Sequence, residues 1–369
     1  MKVLQFGKFY HPYKGGVETL LRALSVGLKE RGVDIRCLVA NTRFATVTEA
    51  VEGIEVRRVA SLGSLFSTSL CPTMPLHVGR YDADIIHIHQ PNPLADISCL
   101  LRKPRSKLVI SYHSDIIKQR YAYKIYKFFL RKILKRAEKI VVATPAHVTH
   151  SAMLQEFREK CEVIHYGINL DRFKKNGTIS TRIEEIRNTY GKKIVLFVGR
   201  LVYYKGLDRL IDAMRELDAV LLIVGTGPLE KRLRQQADSA GLADRTVFLR
   251  ETGDEELAAY YHACDVFCLP SVERSEAFGI VQLEAMACGK PVVSTNVPSG
   301  VPYVNHDGVT GLTVEPGDIA ALHGALQRLL EDEDTATAFG TAGRERVQKE
   351  FTEEQMIDNY FNLYQKILE

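Results

Sequence analysis

The chain has 369 residues, 46% of them hydrophobic and 25% charged, which is too long for one ordinary core and comfortable for two domains. Its formal net charge of +4 lacks the strongly basic balance of a nucleic-acid binder, and no stretch approaches the roughly 18 uninterrupted apolar residues of a membrane span. Seven scattered cysteines, without C-x-x-C spacing, are expected to be core thiols of a reducing compartment rather than a disulfide or zinc framework. The opening "MKVLQFGKFYHP" enters a strand at once and is expected to carry no signal peptide.

Short apolar runs alternate with helical patterns. "KVLQFG", "IRCLVA", "EVRRVA", "DIIHIH", "KLVISYH", "KIVVATP" and "CEVIHYG" read as strands. Several are apolar throughout, which predicts parallel strands covered on both faces. The helix "GVETLLRALSVGLKERG" ends on Arg31 and Gly32. Residues 168–192 are polar and lack a strand, and read as a linker region. A second series follows: "KIVLFVG", "AVLLIVG", "TVFL", "DVFCLP", "KPVVST" and "GLTVE", with a charged helical tail from about residue 318. Two βα series predict two doubly wound α/β domains facing a cleft, with function in the loops at the carboxyl ends of the strands.

Those loops are rich in glycine and charge. Gly15 and Gly16 precede the first helix, where backbone N–H groups and the helix dipole favour an anion; a turn with a helix cap explains them equally. Arg200 and Lys205 flank the first βα loop of the second series and are suited to neutralise a diphosphate; an ordinary solvated basic loop explains them equally. "GTGP" at 225–228 lacks the third glycine of a dinucleotide fingerprint and reads as a turn, with Pro228 at the first helical position. His113 ends its strand where the first sheet is expected to open into the cleft, a place that suits a functional histidine and a structural one equally. Asp82 and Asp84 have D-x-D spacing but run straight into a strand, so they read as a strand start and not as a metal site.

In "SVERSEAFGIVQLEAMACGKP" a loop leads into a helix expected over about Phe278 to Cys288, closed by Gly289 and Pro291. The N–H groups of Phe278, Gly279 and Ile280 form an anion site at its amino end. Glu276 lies in the loop beside it, and Glu284 about two turns in. The first can accept from hydroxyls near the anion and the second from a vicinal diol. A helix-terminal carboxylate and a structural acid are the plainer alternatives.

The segment from Glu276 to Val293 resembles the E-x7-E signature of retaining GT-B glycosyltransferases of family 4. "HPYKGGVE", "HSD", "GRLVYYKG", "GTGP" and "DGVTGLTVEPGD" match that family in order, so the resemblance covers nearly the whole chain. It implies an α/β GT-B fold of two Rossmann-like domains: an acceptor domain over 1–170, a nucleotide-sugar domain over 171–350, and a helix over 351–369 crossing back to the first. It further implies that Arg200, Lys205 and the amides around Gly279 hold the donor diphosphate. Glu284 takes the ribose hydroxyls, Glu276 faces the sugar, His113 contacts that sugar near the reacting centre, and Gly16 touches the diphosphate. Arg250 stands where members commonly have glycine, near the nucleobase. The leaving phosphate is thought to take the acceptor proton on the same face, with retention and without a carboxylate base. No divalent ion is required if Arg200 and Lys205 supply the charge.

Residues 118–139, "KQRYAYKIYKFFLRKILKRAEK", carry Arg120, Lys124, Lys127, Arg131 and Lys135 in one row. Ala122, Tyr126, Phe129, Ile133 and Ala137 form another about 200° away on a helix. A helix packed on its sheet with a solvated basic face is one reading. A surface for anionic lipid is the sharper one. It implies a lipid-linked acceptor and a peripheral place on the inner, cytoplasmic face of the membrane. The "YHSDI" loop with "EAFGIVQLEAM" looks most like bacterial polysaccharide mannosyltransferases, which implies GDP-mannose as donor. A sugar-nucleotide 2-epimerase of the same architecture and a non-catalytic nucleotide-sugar-binding protein are the competing readings.

Overall fold

The computed structural model describes every residue except Lys14, Phe66, Ser67, residues 116–119 and Glu251, and it leaves out the side chains of residues 65 and 120–122. Lys118, Arg120 and Ala122 of the amphipathic stripe therefore lie outside the described side chains. The chain divides into two compact units, Met1–Tyr166 with Glu353–Glu369, and Gly167–Thr352.

Unit 1 holds β1 (Lys2–Phe6), α1 (Gly16–Glu30), β2 (Asp34–Ala40), β3 (Val47–Val51), β4 (Ile54–Val59), the short pair β5 (Ser64–Leu65) and β6 (Thr68–Ser69), and α2 (Met74–Val78). It continues with β7 (Ile85–Gln90), α3 (Pro93–Arg102), β8 (Lys107–Tyr112), α4 (Arg120–Arg136), β9 (Lys139–Val142), α5 (Pro145–His150), α6 (Ala152–Gln155) and β10 (Cys161–Val163). The main sheet runs β10-β9-β8-β7-β1-β2-β4-β3. It is parallel except at its edge, where β3 pairs antiparallel with β4. This edge strand departs from the all-parallel expectation. Its signal is the two-residue loop Glu52-Gly53 between the paired Val51 and Ile54. Both residues have positive φ, 53° and 69°, the geometry of a type I′ hairpin turn.

The carboxyl-terminal helix α15 (Glu353–Leu368) belongs to unit 1. Its buried residues Met356, Ile357, Tyr360, Leu363 and Tyr364 fall at helical spacing and form one face. Gly27 of α1 lets that face approach, since a Cβ there would collide with Ile357. At the surface Arg31 donates to Asp358 at 2.6 Å. At the opposite edge from the strand exits, Lys2 bonds Asp84 through its backbone N–H at 2.7 Å and Asp82 through its ammonium at 3.1 Å. The D-x-D pair thus closes the start of β1.

Asp96 on α3 is fully buried and accepts from the Gln90 amide and the Tyr126 hydroxyl. It joins the end of β7 to α3 and α4. Burial is the leading cause that lifts its carboxyl to about 7; the two hydrogen bonds act the other way. A carboxyl raised on folding stabilises the fold fully below its unfolded value, about 3.9. That contribution fades as the pH climbs through about 7. Between pH 5 and 8 the wild type should lose up to about 3 kcal/mol more than Asp96→Asn. Urea unfolding followed by circular dichroism at both pH values checks this; equal losses would count against it.

Unit 2 opens with α7 (Gly177–Tyr190), which makes the polar stretch 168–192 a structural element and not a linker. Asn176 caps it by accepting from Ile179 N, and Gly191 ends it in the left-handed conformation. The unit continues with β11 (Lys193–Val198), α8 (Leu207–Ala213), β12 (Ala219–Val224), α9 (Glu230–Ser239), β13 (Thr246–Leu249), α10 (Asp254–Ala263), β14 (Val266–Leu269) and α11 (Ile280–Ala287). It closes with β15 (Val292–Thr295), α12 (Val301–Val304), β16 (Gly311–Val314), α13 (Ile319–Glu331) and α14 (Glu333–Glu350). Its sheet, β13-β12-β11-β14-β15-β16, is parallel throughout. All six residues of β12, Ala-Val-Leu-Leu-Ile-Val, are buried, as a strand covered on both faces requires. Both units are Rossmann-like parallel α/β domains.

Candidate active site

In unit 2 the loop after β11 is held by its neighbours. Gly199 N donates to Val224 O at 2.9 Å and Leu201 N to Thr226 O at 2.9 Å. A Cβ on Gly225 or Gly227 would collide with the backbone of Gly199 or Leu201. The "GTGP" glycines therefore let two strand-exit loops lie backbone to backbone, a support the one-dimensional pattern did not show. Pro228 sits in a turn, and α9 starts only at Glu230. The same first loop is tied to the next by Val272 N donating to Tyr204 O at 2.8 Å.

These ties bring Lys205 onto Glu276. Its ammonium lies 2.5 Å from Glu276 Oε2, and both side chains are 10% exposed. Ser271 Oγ donates to the same carboxylate oxygen at 3.3 Å. Arg200 and Arg250 are exposed at the exits of β11 and β13 and are not part of that pair.

Three residues beyond Glu276, Gly279 has φ +75°, and a Cβ there would meet Leu269 and Gln282. Only glycine suits this position. The helix α11 starts at Ile280, two residues later than the pattern predicts, because Gly279 is its left-handed cap. Its first-turn N–H groups lack intrahelical acceptors. Glu284 is consequently a little over one turn in, not two. It is half-buried, and Tyr261 O–H donates to its Oε2 at 2.6 Å. Burial raises the Glu284 carboxyl, opposed by the Tyr261 bond and the charge of Arg172.

In unit 1, α1 starts at Gly16, and Gly15 is extended. The carboxylate of Glu18 folds back over Gly15, in the space its Cβ would take, whereas the Cβ direction of Gly16 is open. The two glycines thus differ: one accommodates the chain's own acid, and the other leaves room for a ligand.

His113 directly follows β8 and is buried. Both ring nitrogens are engaged within unit 1: Nε2 is 3.1 Å from His89 Nδ1, and Nδ1 is 2.5 Å from the Tyr166 hydroxyl. Two neighbours were given no role in the sequence reading, although Asp115 lies in the "YHSDI" loop. Asp115 accepts from Tyr112 O–H at 2.6 Å and Ser151 O–H at 2.8 Å. Tyr166 closes the last strand-exit loop of unit 1. The usable signal was position, since each follows a strand within three residues.

Comparison with known proteins gives this geometry its family. The family model for glycosyl transferases group 1 matches residues 180–346 and that for glycosyltransferase family 4 matches residues 14–172. The O-antigen chain mannosyltransferase C of Escherichia coli is 34% identical over 375 residues, covering 100% of this chain and 99% of its own. The chain belongs to glycosyltransferase family 4. The D-rhamnosyltransferase WbpZ of Pseudomonas aeruginosa is 35% identical, with 95% of this family 4 chain and 92% of the relative covered. Among solved structures, sucrose-phosphate synthase from Thermosynechococcus elongatus shares the GT-B fold, with a TM-score of 0.83 at 24% identity over 100% of this chain and 99% of that one. The protein is therefore a glycosyltransferase, and neither the epimerase nor the non-catalytic reading stands.

Among the described residues of this family 4 enzyme, no helix is long and apolar enough to cross a membrane. No group of three or more His, Cys, Asp or Glu side chains is placed there to hold a metal ion.

Proposed function

We propose that this glycosyltransferase moves mannose from GDP-mannose, with retention of configuration, to a lipid-linked oligosaccharide in the synthesis of a bacterial surface polysaccharide. The observation that carries the reading is the Lys205–Glu276 pair just ahead of the amino end of α11. A fixed cation and a row of helix amides at one strand exit suit the negative charge that builds on a departing diphosphate. Lys205 and Arg200 meet that charge without a divalent ion, and the departing phosphate takes the acceptor proton.

Glu276 has two tasks in this scheme: it holds Lys205 and accepts from the donor sugar. Glu284 accepts from the ribose diol, with Tyr261 fixing one of its oxygens. Guanine is supported by Arg250, whose exposed guanidinium at the exit of β13 matches the O6/N7 edge of that base. Mannose and O-antigen synthesis follow the E. coli relative. A D-rhamnosyl donor is the second reading, favoured by the Pseudomonas relative.

The lipid part rests on α4. Lys124, Lys127, Arg131, Lys132 and Lys135 are exposed, and among them stand Ile125 at 73% and Phe128 at 58% exposure. Tyr126, Leu130, Ile133 and Leu134 face the core. Two large apolar side chains within a basic face suit an anionic membrane surface better than water. The enzyme would then work peripherally on the inner face of the cytoplasmic membrane.

Titration calorimetry with a panel of nucleotide sugars tests the donor. GDP-mannose should bind at least about tenfold more tightly than UDP-glucose. Glu284→Ala should weaken both by about 10- to 100-fold, the value of a hydrogen bond or two to a charged group. Arg250→Ala should erase the difference between the bases. Tighter binding of UDP-glucose would overturn the assignment of the base.

A further inference from the structure

Unit 1 carries a buried polar row that the proposed chemistry does not use. In the parallel register Gln5 of β1 stands beside His87 of β7, and His89 beside Ser111 of β8. Residues two apart on a strand share a face, so Gln5, His87, His89, Ser111 and His113 all lie on the same side. All five are buried. Tyr360 and Tyr364 of α15, both also buried, bond to this side of the sheet.

The contacts make one continuous path. From Tyr166 O–H it reaches His113 Nδ1 at 2.5 Å, His113 Nε2 to His89 Nδ1 at 3.1 Å, and His89 Nε2 to Gln5 Oε1 at 2.9 Å. Gln5 Nε2 then meets Tyr364 O–H at 3.4 Å, which meets His87 Nδ1 at 2.7 Å. His87 Nε2 lies 2.7 Å from Ser111 Oγ, itself 2.7 Å from the Tyr360 hydroxyl.

The path admits one sense. A carbonyl oxygen only accepts, so His89 must donate to Gln5 through Nε2–H. A neutral imidazole has one N–H, which leaves His89 Nδ1 bare, and His113 must donate to it through its own Nε2–H. His113 Nδ1 is then bare and accepts from Tyr166. On the other side the Gln5 amide donates to the Tyr364 oxygen. Tyr364 O–H donates to His87 Nδ1, His87 Nε2–H donates to Ser111, and Ser111 O–H donates to Tyr360. The neutrality this requires agrees with burial, which is the first cause lowering all three histidines, His87 to about 3.

We infer that α15 sets the hydrogen-bonding sense of His113 from the far end of this row on the same side of the sheet, making Tyr364, His87, Gln5 and His89 positioning residues for sugar transfer. His113 is thereby presented as an acceptor through Nδ1, the site Tyr166 holds in this structure. A sugar hydroxyl replacing Tyr166 would meet an acceptor and not a donor. This rests on the glycosyl-transfer reading and on the contact with the donor sugar that the family resemblance implies for His113.

The experiment uses the full-length enzyme labelled with 15N-histidine, in two-bond 1H–15N spectra, beside kinetics with GDP-mannose. In the wild type His87, His89 and His113 should all show the neutral Nε2–H tautomer. Tyr364→Phe keeps the ring and removes the relay. It should shift the ring resonances of His89 and His113, and lower kcat about tenfold with the KM for GDP-mannose unchanged. An Nδ1–H tautomer at His89 or His113 in the wild type overturns the chain. So does wild-type kcat in Tyr364→Phe while His113→Ala is impaired. Full turnover in His113→Ala would instead remove His113 from the reaction, while the wild-type spectra still report the chain.

Discussion

Lys205→Ala lowers turnover by about 10²- to 10³-fold, the size of losing one preorganised group that stabilises developing charge. The position of Lys205 is unusual for a lysine: its side chain is 10% exposed and its ammonium is 2.5 Å from Glu276. Removing the cation leaves the carboxylate in a nearly closed space, so the same variant loses stability as well, by up to about 3 kcal/mol. The two effects separate in the double variant. Lys205→Ala with Glu276→Gln relieves the unpaired charge and recovers most of the melting temperature, while turnover stays low because the diphosphate has lost the Lys205 cation and keeps only Arg200. Steady-state kinetics and thermal melts on the wild type, both single variants and the double variant make the measurement. Turnover that recovers along with stability would show that Lys205 matters only for folding.

Charge reversal at Lys124, Lys127, Lys132 and Lys135 abolishes sedimentation with vesicles of anionic phospholipid. Each lysine near such a surface contributes about 1 kcal/mol, so turning four attractions into repulsions swings binding by about 8 kcal/mol. Arg131 is left in place because it is paired with Glu156 on the protein. Phe128→Ala and Ile125→Ala together, with charge intact, isolate the apolar part. Burying such side chains gives roughly 1.5–3 kcal/mol each, so the pair lowers vesicle affinity by 10²-fold or more. The Lys132 ammonium lies 4.1 Å from the centre of the Phe128 ring. Pelleting of the reversed variant at the wild-type level would remove α4 from the membrane; loss in that variant alone would make the contact purely electrostatic.

Helix α4 shows where a sequence pattern reaches its limit. The basic and apolar rows of α4 are visible as spacing, and Tyr126 and Ile133 of the apolar row are indeed buried. Ile125 and Phe128 fall outside both rows, and composition alone does not say whether such residues meet the sheet or the solvent. Burial is decided by which elements arrive from elsewhere in the chain. The same holds for α7, whose polar surface disguised a helix packed on α10; the edge strand β3 is the opposite case, since its pairing with β4 needs only the local Glu52-Gly53 turn.

The parallel α/β pattern of both units, the strand-exit loops and the residue types of the proposed donor site were legible because they depend on local periodicity and on what glycine, lysine and carboxylate do beside a helix end. The contact of Lys205 with Glu276 was not, since it joins residues 71 apart through two loops whose glycines permit close backbone approach. Nor was the chain of buried side chains behind His113. Gln5, His87, Ser111 and Tyr364 are dispersed along the sequence, and only parallel register with the return of α15 puts them on one face. Once there, the rule that each buried donor needs an acceptor orders them in a single direction.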